Sequence, residues 1–471
     1  MYISCTAVIC AANRNSAFRH IRYTGTFGIQ VHKGLFDLQQ KNIEARWPAS
    51  DHCGTMRRQP NRRRRFPMST IDYDPYSHEA MKDPYPLYAA MRKEGKPHFM
   101  PKYNGWALAR FQDIWDASTK VDENCTFTKG QTPGQVLLGE PVPSTFMTMD
   151  APEHRKWRGL IRHEFTPEGV KESEQRLREL TRELLAPLLK KGEFDVYSDL
   201  SNRVTCINAG YNLGLPREDA EKWRGLIDDM LHREEGQVGG GSPRNQAAAG
   251  QLFGYFGQYV HELRTNPALA QRYTKIFLEA SVDGRTLTDE EMMFYLFSLL
   301  VVGSETTPIT VAGTFWNLEH NPDQKAAVLK EMAAGKTDLA RKAFLETARY
   351  DQPTNMLARV AKKDFELNGV QVKAGQPLLF LYASAERDES VYPNPDKFDM
   401  YRQPTEKSLM FGHGGHKCLG MHLGVMMGCI LVEEILKAVG DYTVVEEKCE
   451  RLYGEHLSGW GKVTIKFKPH A

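Results

Sequence analysis

The chain has 471 residues, 41% apolar and 25% charged, the proportions of a soluble globular protein, and could form one large domain or two to three small ones. Its net charge of +2 hides an asymmetry: residues 1–67 carry 12 Lys+Arg against 3 Asp+Glu, and the remainder 49 against 56, so a nucleic-acid-binding arm would lack a basic domain behind it. No run of 18 apolar residues marks a membrane span, and eight scattered cysteines without a CxxC pair argue against a zinc ribbon, a thioredoxin-type site or an iron–sulfur cluster.

In chain order, the basic head contains MRRQPNRRRRFP, Met56 to Pro67, with neither helical nor strand periodicity. It reads as an extension over 1–67 outside the native fold, followed by a single domain over 68–471. An arginine-rich targeting segment is the competing reading. The apolar YISCTAVICAA lacks a preceding basic residue, and a reducing cytoplasm is the default location. DPYPLYAAMRKEG predicts an amphipathic helix, GWALARFQDIWDAS a strand and a helix, and 168–235 further helix. The glycine-rich EEGQVGGGSPRNQAAAG, 234–250, is either a linker or a mobile lid over a pocket. Thr288 and Glu291 form a capping box at the head of a long apolar helix that NPD ends. Short strands follow around the hairpin signal Asn368-Gly369, then a last apolar helix from Leu419 and terminal strand pairs. The expected fold is mostly α with a minor β part.

The segment FGHGGHKCLG, Phe411 to Gly420, concentrates the chemistry. Cys418 reads as a structural thiol, a zinc ligand beside His413, His416 and His422, a nucleophile or an axial ligand to haem iron. Haem accounts for more residues. Gly412, Gly414 and Gly415 let the loop bend its N–H groups toward sulfur, Gly420 admits a flat macrocycle, and the following helix start stabilises a thiolate. Phe411 would shield the sulfur from water.

The pattern F-x-x-G-x-H-x-C-x-G, with Phe411, Gly414, His416, Cys418 and Gly420 at its defining positions, resembles the haem-binding signature of the cytochrome P450 monooxygenases. Three distant motifs extend the resemblance over residues 70 to 471. ETAR, Glu346 to Arg349, is alone a common surface pair. With FDMYR, 398–402, the resemblance implies a structural triad of Glu346, Arg349 and Arg402. VVGSETTP, 301–308, puts an acid and alcohols inside an apolar helix, which is costly without a use. The resemblance implies that Thr306 hydrogen-bonds the oxygen being activated, that Glu305 relays protons, and that Gly303 leaves room for oxygen. Thr307 reads equally as a residue bonding back to a helix carbonyl. Pro308 cannot donate to the Ser304 carbonyl, so the helix is expected to bend or open there. Val302 stands where the family commonly has Ala or Gly and is expected to narrow the space beside the iron. APEHRKWRGLIRHEFTP, 151–167, taken alone, is a solvated helix face. The resemblance makes His154 and Arg158 partners of the haem propionates, together with Arg359 and His416.

The resemblance therefore implies a cytochrome P450 fold, with haem between the long helix and the cysteine loop. Without C-x-x-C-H the cofactor is expected to be haem b held non-covalently, with Cys418 as thiolate ligand. The expected activity is hydroxylation of a small apolar substrate (terpenoid, steroid, fatty acid or aromatic) by a soluble, bacterial-type, monomeric enzyme using O2. No flavin or dinucleotide fingerprint is present, so electrons are expected from a separate protein, which the resemblance to soluble bacterial members implies is a ferredoxin with its reductase. Arg155, Lys156, Arg162 and Lys417 are the candidate docking patch. Tyr295, Ser298, Leu299 and Val302 are expected on the helix face that meets the haem, and Thr354, Asn355 and Leu357 along the pocket, with Asn355 orienting a substrate oxygen. Cys429 reads as core. A peroxide-driven peroxygenase and a non-enzymatic haem- or metal-binding protein are the alternatives.

Overall fold

The computed structural model describes residues 71–403 and 405–469; the basic extension expected over 1–67 lies outside the described residues. The long helix Asp289–Glu319 organises the rest. Its start is the expected capping box, with the Thr288 hydroxyl accepting from Glu291 N–H at 3.2 Å and Glu291 accepting from Thr288 N–H at 2.8 Å. It is apolar on nearly every side because both of its ends are core. Met292, Leu296 and Leu300 pack with Trp223, Phe256 and Phe277. Ile309, Val311 and Phe315 pack with Leu177, Val204, Ile430 and Ile435. Each such side chain contributes about 1.5–3 kcal/mol on burial. This helix is long and apolar enough to cross a membrane, yet more than half of its most apolar window is buried inside the protein, as a core helix requires.

Helices Asn202–Asn212, Pro243–Thr265 and Met421–Val439 pack along it. Pro308 leaves the Ser304 carbonyl without its helical donor, but the expected opening does not follow. The Thr205 hydroxyl donates to that carbonyl at 2.8 Å, and the helix is continuous through Pro308. Residues 168–235 are not uniformly helical either. Strand Glu193–Asp195 and a π-helical turn, Val196–Ser201, interrupt them. Phe194 pairs with Ile465, some 270 residues on, and Asp195 accepts from the N–H groups of Tyr197 and Val463. Tertiary pairing wins over local helix propensity there.

The β part is small. Its main sheet has the order His98–Met100, Gly105–Leu108, Pro377–Phe380, Leu357–Ala361, Cys125–Thr126. All pairs are antiparallel except Gly105–Leu108 with Pro377–Phe380. The hairpin at Asn368-Gly369 forms as expected, both residues having positive φ, 43° and 74°. The five described cysteines, among them the buried Cys429, are all free.

A buried ionic knot ties helix Asp338–Tyr350 to the segment that leads into the cysteine loop. Arg349 makes a bidentate pair with Glu346 at 2.8 and 2.9 Å, and Arg402 reaches the same carboxylate at 3.3 Å. Glu346 also accepts from Asp399 N–H. The spare donors bind backbone: Arg349 the carbonyls of Glu386 and Pro395, Arg402 those of Pro393, Asn394 and Lys397. One carboxylate and two guanidiniums thus fix residues 386–402 without any secondary structure. Arg349→Leu leaves Glu346 buried beside one cation and strands two carbonyls. The expected loss is about 3–5 kcal/mol, read as a lower urea unfolding midpoint.

Candidate functional site

From the knot the chain runs to Leu409, where two further contacts aim it. Glu386, fully buried, accepts from Leu409 N–H at 2.6 Å and from the Tyr392 hydroxyl at 2.8 Å. Burial pushes its carboxyl up to about 7. The Gln352 amide donates to Met410 O at 2.9 Å. The loop then turns through Gly412 and Gly414 at φ of 70° and 80°, conformations that favour glycine. A Cβ on Gly414 would lie 2.5 Å from the Ser118 carbonyl, so that position also needs the missing side chain. Cys418 N–H donates to Phe411 O at 2.8 Å and closes the loop, and helix Met421–Val439 begins at once.

Cys418 is accessible although protein surrounds it, because it faces an internal cavity of about 380 Å³. Burial pushes its thiol up; Gly420 N–H, Arg158 and Lys417 pull the other way. A Cβ built on Gly420 would meet nothing within 4 Å, so the backbone there is bare toward open space. Phe411, also on the wall, shares the loop's closing bond. The zinc reading fails on geometry. His416 is stacked between Phe127, at 3.5 Å, and His154, at 3.7 Å, while His413 stacks on Trp115. Among the described residues no three His, Cys, Asp or Glu side chains gather as a metal site.

The facing wall is the middle of the long helix, where Leu299, Val302, Gly303 and Thr306 line the cavity. Val302 is 48% exposed, so its branched side chain projects into the space. A Cβ on Gly303 would meet only Ala209, at 3.6 Å. Thr307 points at the cysteine helix, its hydroxyl 3.4 Å from where a Cβ on Gly424 would stand; Ser304, Thr310 and Thr314 are the residues that bond back to helix carbonyls. Glu305, one residue before Thr306, is buried and accepts from the Tyr197 hydroxyl at 2.9 Å and the Asn202 amide at 3.4 Å. Burial first, then Asp228, raises its carboxyl to about 7 against the pull of those bonds and of Arg224.

A third wall carries cations without anions. Arg359 is buried against the Phe127 ring at 4.3 Å. Its Nη1 donates to Ala358 O, and its Nε has no partner among the described residues. The Nε2 atoms of His154 and His416 are likewise unpartnered. Arg158, half-buried, donates to Lys417 O. Burial lowers both guanidiniums and holds the imidazoles at about 4 for His154 and about 2 for His416. Arg158, Arg359 and His416 line the cavity, while His154, expected there too, is buried behind His416 and off the wall; neither guanidinium has an ion-pair partner among the described residues.

Three expected pocket residues lie elsewhere. Tyr295 is buried between Phe146, Trp157 and Phe277 and donates to Trp157 O at 2.7 Å. Ser298 is buried off the cavity. Both sit on the flank of the helix that meets the aromatic core. Asn355 has both ends of its amide engaged, accepting from Tyr88 at 2.8 Å and donating to Glu455 O at 2.9 Å, so it fixes backbone and cannot orient a ligand. Leu299, Val302, Thr354 and Leu357 do line the cavity. Phe127, Gln131 and His456, which no sequence motif marks, line it as well. Of the glycine-rich break expected over 234–250, only 234–242 lie between helices Ala220–Leu231 and Pro243–Thr265, and 243–250 are the first turns of the second. The break is tied down by Gly240 N–H to Glu140 at 2.6 Å and by Arg233 to Glu455 at 3.3 Å.

A thiol on a bent loop facing an acid–alcohol pair across a cavity, beneath a knotted E-x-x-R helix, defines a class of haem-thiolate oxygenases. Comparison with known proteins makes this specific. The cytochrome P450 family profile matches residues 244–439. The chain is 30% identical over 395 residues to cytochrome P450 123 of Mycobacterium tuberculosis, covering 83% of this chain and 96% of that one. It is 28% identical over 409 residues to a steroid C26-monooxygenase of Rhodococcus jostii, covering 83% of each. Cytochrome P450 CYP109Q5 from Chondromyces apiculatus superposes with a TM-score of 0.72 at 25% identity, covering 85% of this chain and 99% of the other. The protein belongs to the cytochrome P450 family and is a cytochrome P450 monooxygenase.

The folded state holds the Glu305 proton more tightly than the unfolded chain does. Its contribution to stability is therefore complete below about pH 4.5 and lost as pH rises through about 7. Glu305→Gln removes that loss, roughly 3 kcal/mol, leaving the part due to Glu386. Urea melts across this pH range, on variant and parent, measure it.

Proposed function

We propose that the cavity holds haem b with Cys418 as the axial thiolate, and that the enzyme hydroxylates a small, neutral, apolar molecule. The observation that carries this is the cation wall. A buried guanidinium is costly unless paired, yet Arg359 and Arg158 reach the cavity beside His416 with no ion-pair partner among the described residues. A flat group bearing two carboxylates would pair with both guanidiniums and reach His416, with His154 stacked behind it. Gly420 leaves open the surface on which a macrocycle would lie. When bound, thiolate-ligated haem supplies cleavage of the O–O bond and insertion of one oxygen atom into a C–H bond.

The chain's own residues do the rest. The Thr306 hydroxyl has no hydrogen bond to any described residue and projects into the cavity, free to orient oxygen there. Glu305, poised near neutrality, holds a proton at a carboxylate oxygen shared with Tyr197 and releases it toward the cavity; a group titrating close to working pH suits proton relay. Val302, Leu299 and Leu357 exclude water and hold an apolar substrate.

Electrons are delivered, on this reading, by a ferredoxin-type protein and its reductase, and the enzyme works in the cytoplasm. The docking patch is smaller than the sequence suggests. Arg155 is paired with Asp122, and Lys156 with Glu153 and Asp283. Arg162 and Lys417, both exposed, make no ion pair with a described residue, and they are the cations left for an acidic partner.

Cys418→Ser is expected to abolish the carbon monoxide difference band that gives the family its name, while Glu305→Gln keeps the band and slows turnover by about 10²-fold or more. Absorption spectra and product formation with ferredoxin and reductase test both. Separately, the rate of reduction by a ferredoxin is expected to fall with rising ionic strength, and Lys417→Gln to flatten that dependence, as stopped-flow reduction would show.

A further inference from the structure

One corner of the cavity is polar in a way that neither haem retention nor proton delivery uses. The turn between strands Glu450–Arg451 and Trp460–Lys462 brings His456 and Leu457 to the cavity wall. There it runs beside 354–357: Asn355 N–H donates to His456 O at 2.9 Å, and Thr354 bridges Leu457. The turn is held from behind by the Asn355 amide on Glu455 O, by the Arg233–Glu455 ion pair and by the Ser458 hydroxyl on Gln352 O at 2.9 Å. Its position is therefore fixed independently of any ligand, by Asn355, Arg233 and Ser458, none of which lines the cavity.

The His456 ring is locked in one tautomer. Nδ1 lies 3.1 Å from Met356 O, and a carbonyl only accepts, so Nδ1 carries the proton and Nε2 presents a lone pair. Burial lowers the ring's affinity for a second proton, with Glu455 pulling up and Arg233 down. Nε2 has no hydrogen bond to any described residue, yet it is not among the sealed, unpartnered atoms. Its free edge opens on the cavity, where Leu457 of the same turn and Thr354 and Leu357 of the adjoining segment also stand on the wall. The cavity's guanidiniums, Arg158 and Arg359, stand instead with the cysteine loop and the Phe127–His416–His154 stack. Arg233, whose charge acts on His456, is off the cavity wall and already paired with Glu455, so a carboxylate-headed substrate would find no free cation there. A neutral hydroxyl would find an acceptor.

We infer that His456 Nε2 accepts a hydrogen bond from the substrate, and that the preferred substrate is an apolar molecule carrying a hydroxyl group. This rests on the reading of the cavity as a haem and substrate site. A preoriented acceptor in an apolar wall is selective because an analogue lacking the donor leaves it unpaired.

The test uses the full-length haem-loaded protein and a set of steroid, terpene and long-chain alcohols, each paired with its methyl ether, titrated by the haem spin-state change. Among pairs that bind, the alcohol is expected to bind about tenfold tighter than the ether. His456→Phe should bring that ratio to about one by weakening the alcohol alone, and His456→Gln, which keeps an acceptor, should retain most of it. Equal affinities in every pair, no alcohol that binds, or a preference that survives His456→Phe overturns the inference. Should His456→Phe fail to fold, the wild-type ratios and His456→Gln decide. The carbon monoxide difference band of the wild type is recorded first. Its presence with a failed alcohol test sinks this inference alone, and its absence sinks the haem reading together with it.

Discussion

The site depends on holding an irregular, glycine-bent loop in one place. Gly412 and Gly414 take left-handed conformations, and no sheet or helix hydrogen bonding fixes the approach to them. Two buried carboxyl groups replace it. Glu346 gathers Arg349 and Arg402, whose remaining donors take up the carbonyls of 386–397. Glu386, on the segment so fixed, then accepts the Leu409 N–H at the head of the loop. The two acids act in series, and only after both does Cys418 face the cavity. Buried ion pairs seldom add net stability over a packed apolar core. Here the arrangement supplies position, since the guanidinium forks satisfy several carbonyls at set angles.

The second constraint is electrostatic. Arg359, a buried guanidinium with an unpartnered Nε, is uncompensated positive charge in the folded state, while the imidazoles of His154 and His416, lowered to about 4 and about 2, stand nearby uncharged at neutral pH. Such a state gains stability from whatever anion binds it and not the unfolded chain. Phe127 shields one side: its ring lies against both the Arg359 guanidinium and the His416 imidazole, which holds the two planar groups in place.

The features legible in the sequence are those whose partners lie within a few residues. The capping box, the Asn-Gly hairpin, the E-x-x-R pair and the cysteine loop all form within ten residues or fewer. What could not be read was the phase of a helix that is apolar all round. Periodicity cannot say which flank of Asp289–Glu319 meets the cavity, and Tyr295 and Ser298 fall on the flank that meets Phe146 and Trp157. Asn355, Thr205 and His456 take their roles from partners roughly 100 to 270 residues away or, for His456, from a pocket wall assembled by the fold. A lone His in a terminal turn carries no local signal of that.

The long helix separates the acid–alcohol pair by direction. Adjacent residues on a helix point about 100° apart, so Glu305 and Thr306, both on the cavity wall, present themselves to it at different angles. Glu305 turns toward the π-helical turn, where Tyr197 and Asn202 hold its carboxyl in a dry network. Thr306 turns to the cavity. Were the helix to break at Pro308, that angle would be free to drift. It does not: the helix runs on through Pro308, and the Thr205 hydroxyl takes the Ser304 carbonyl that proline leaves unserved. An acid raised toward neutrality and held by two side chains, and an alcohol with no hydrogen bond to a described residue, are therefore kept one residue apart on one continuous helix at the cavity wall.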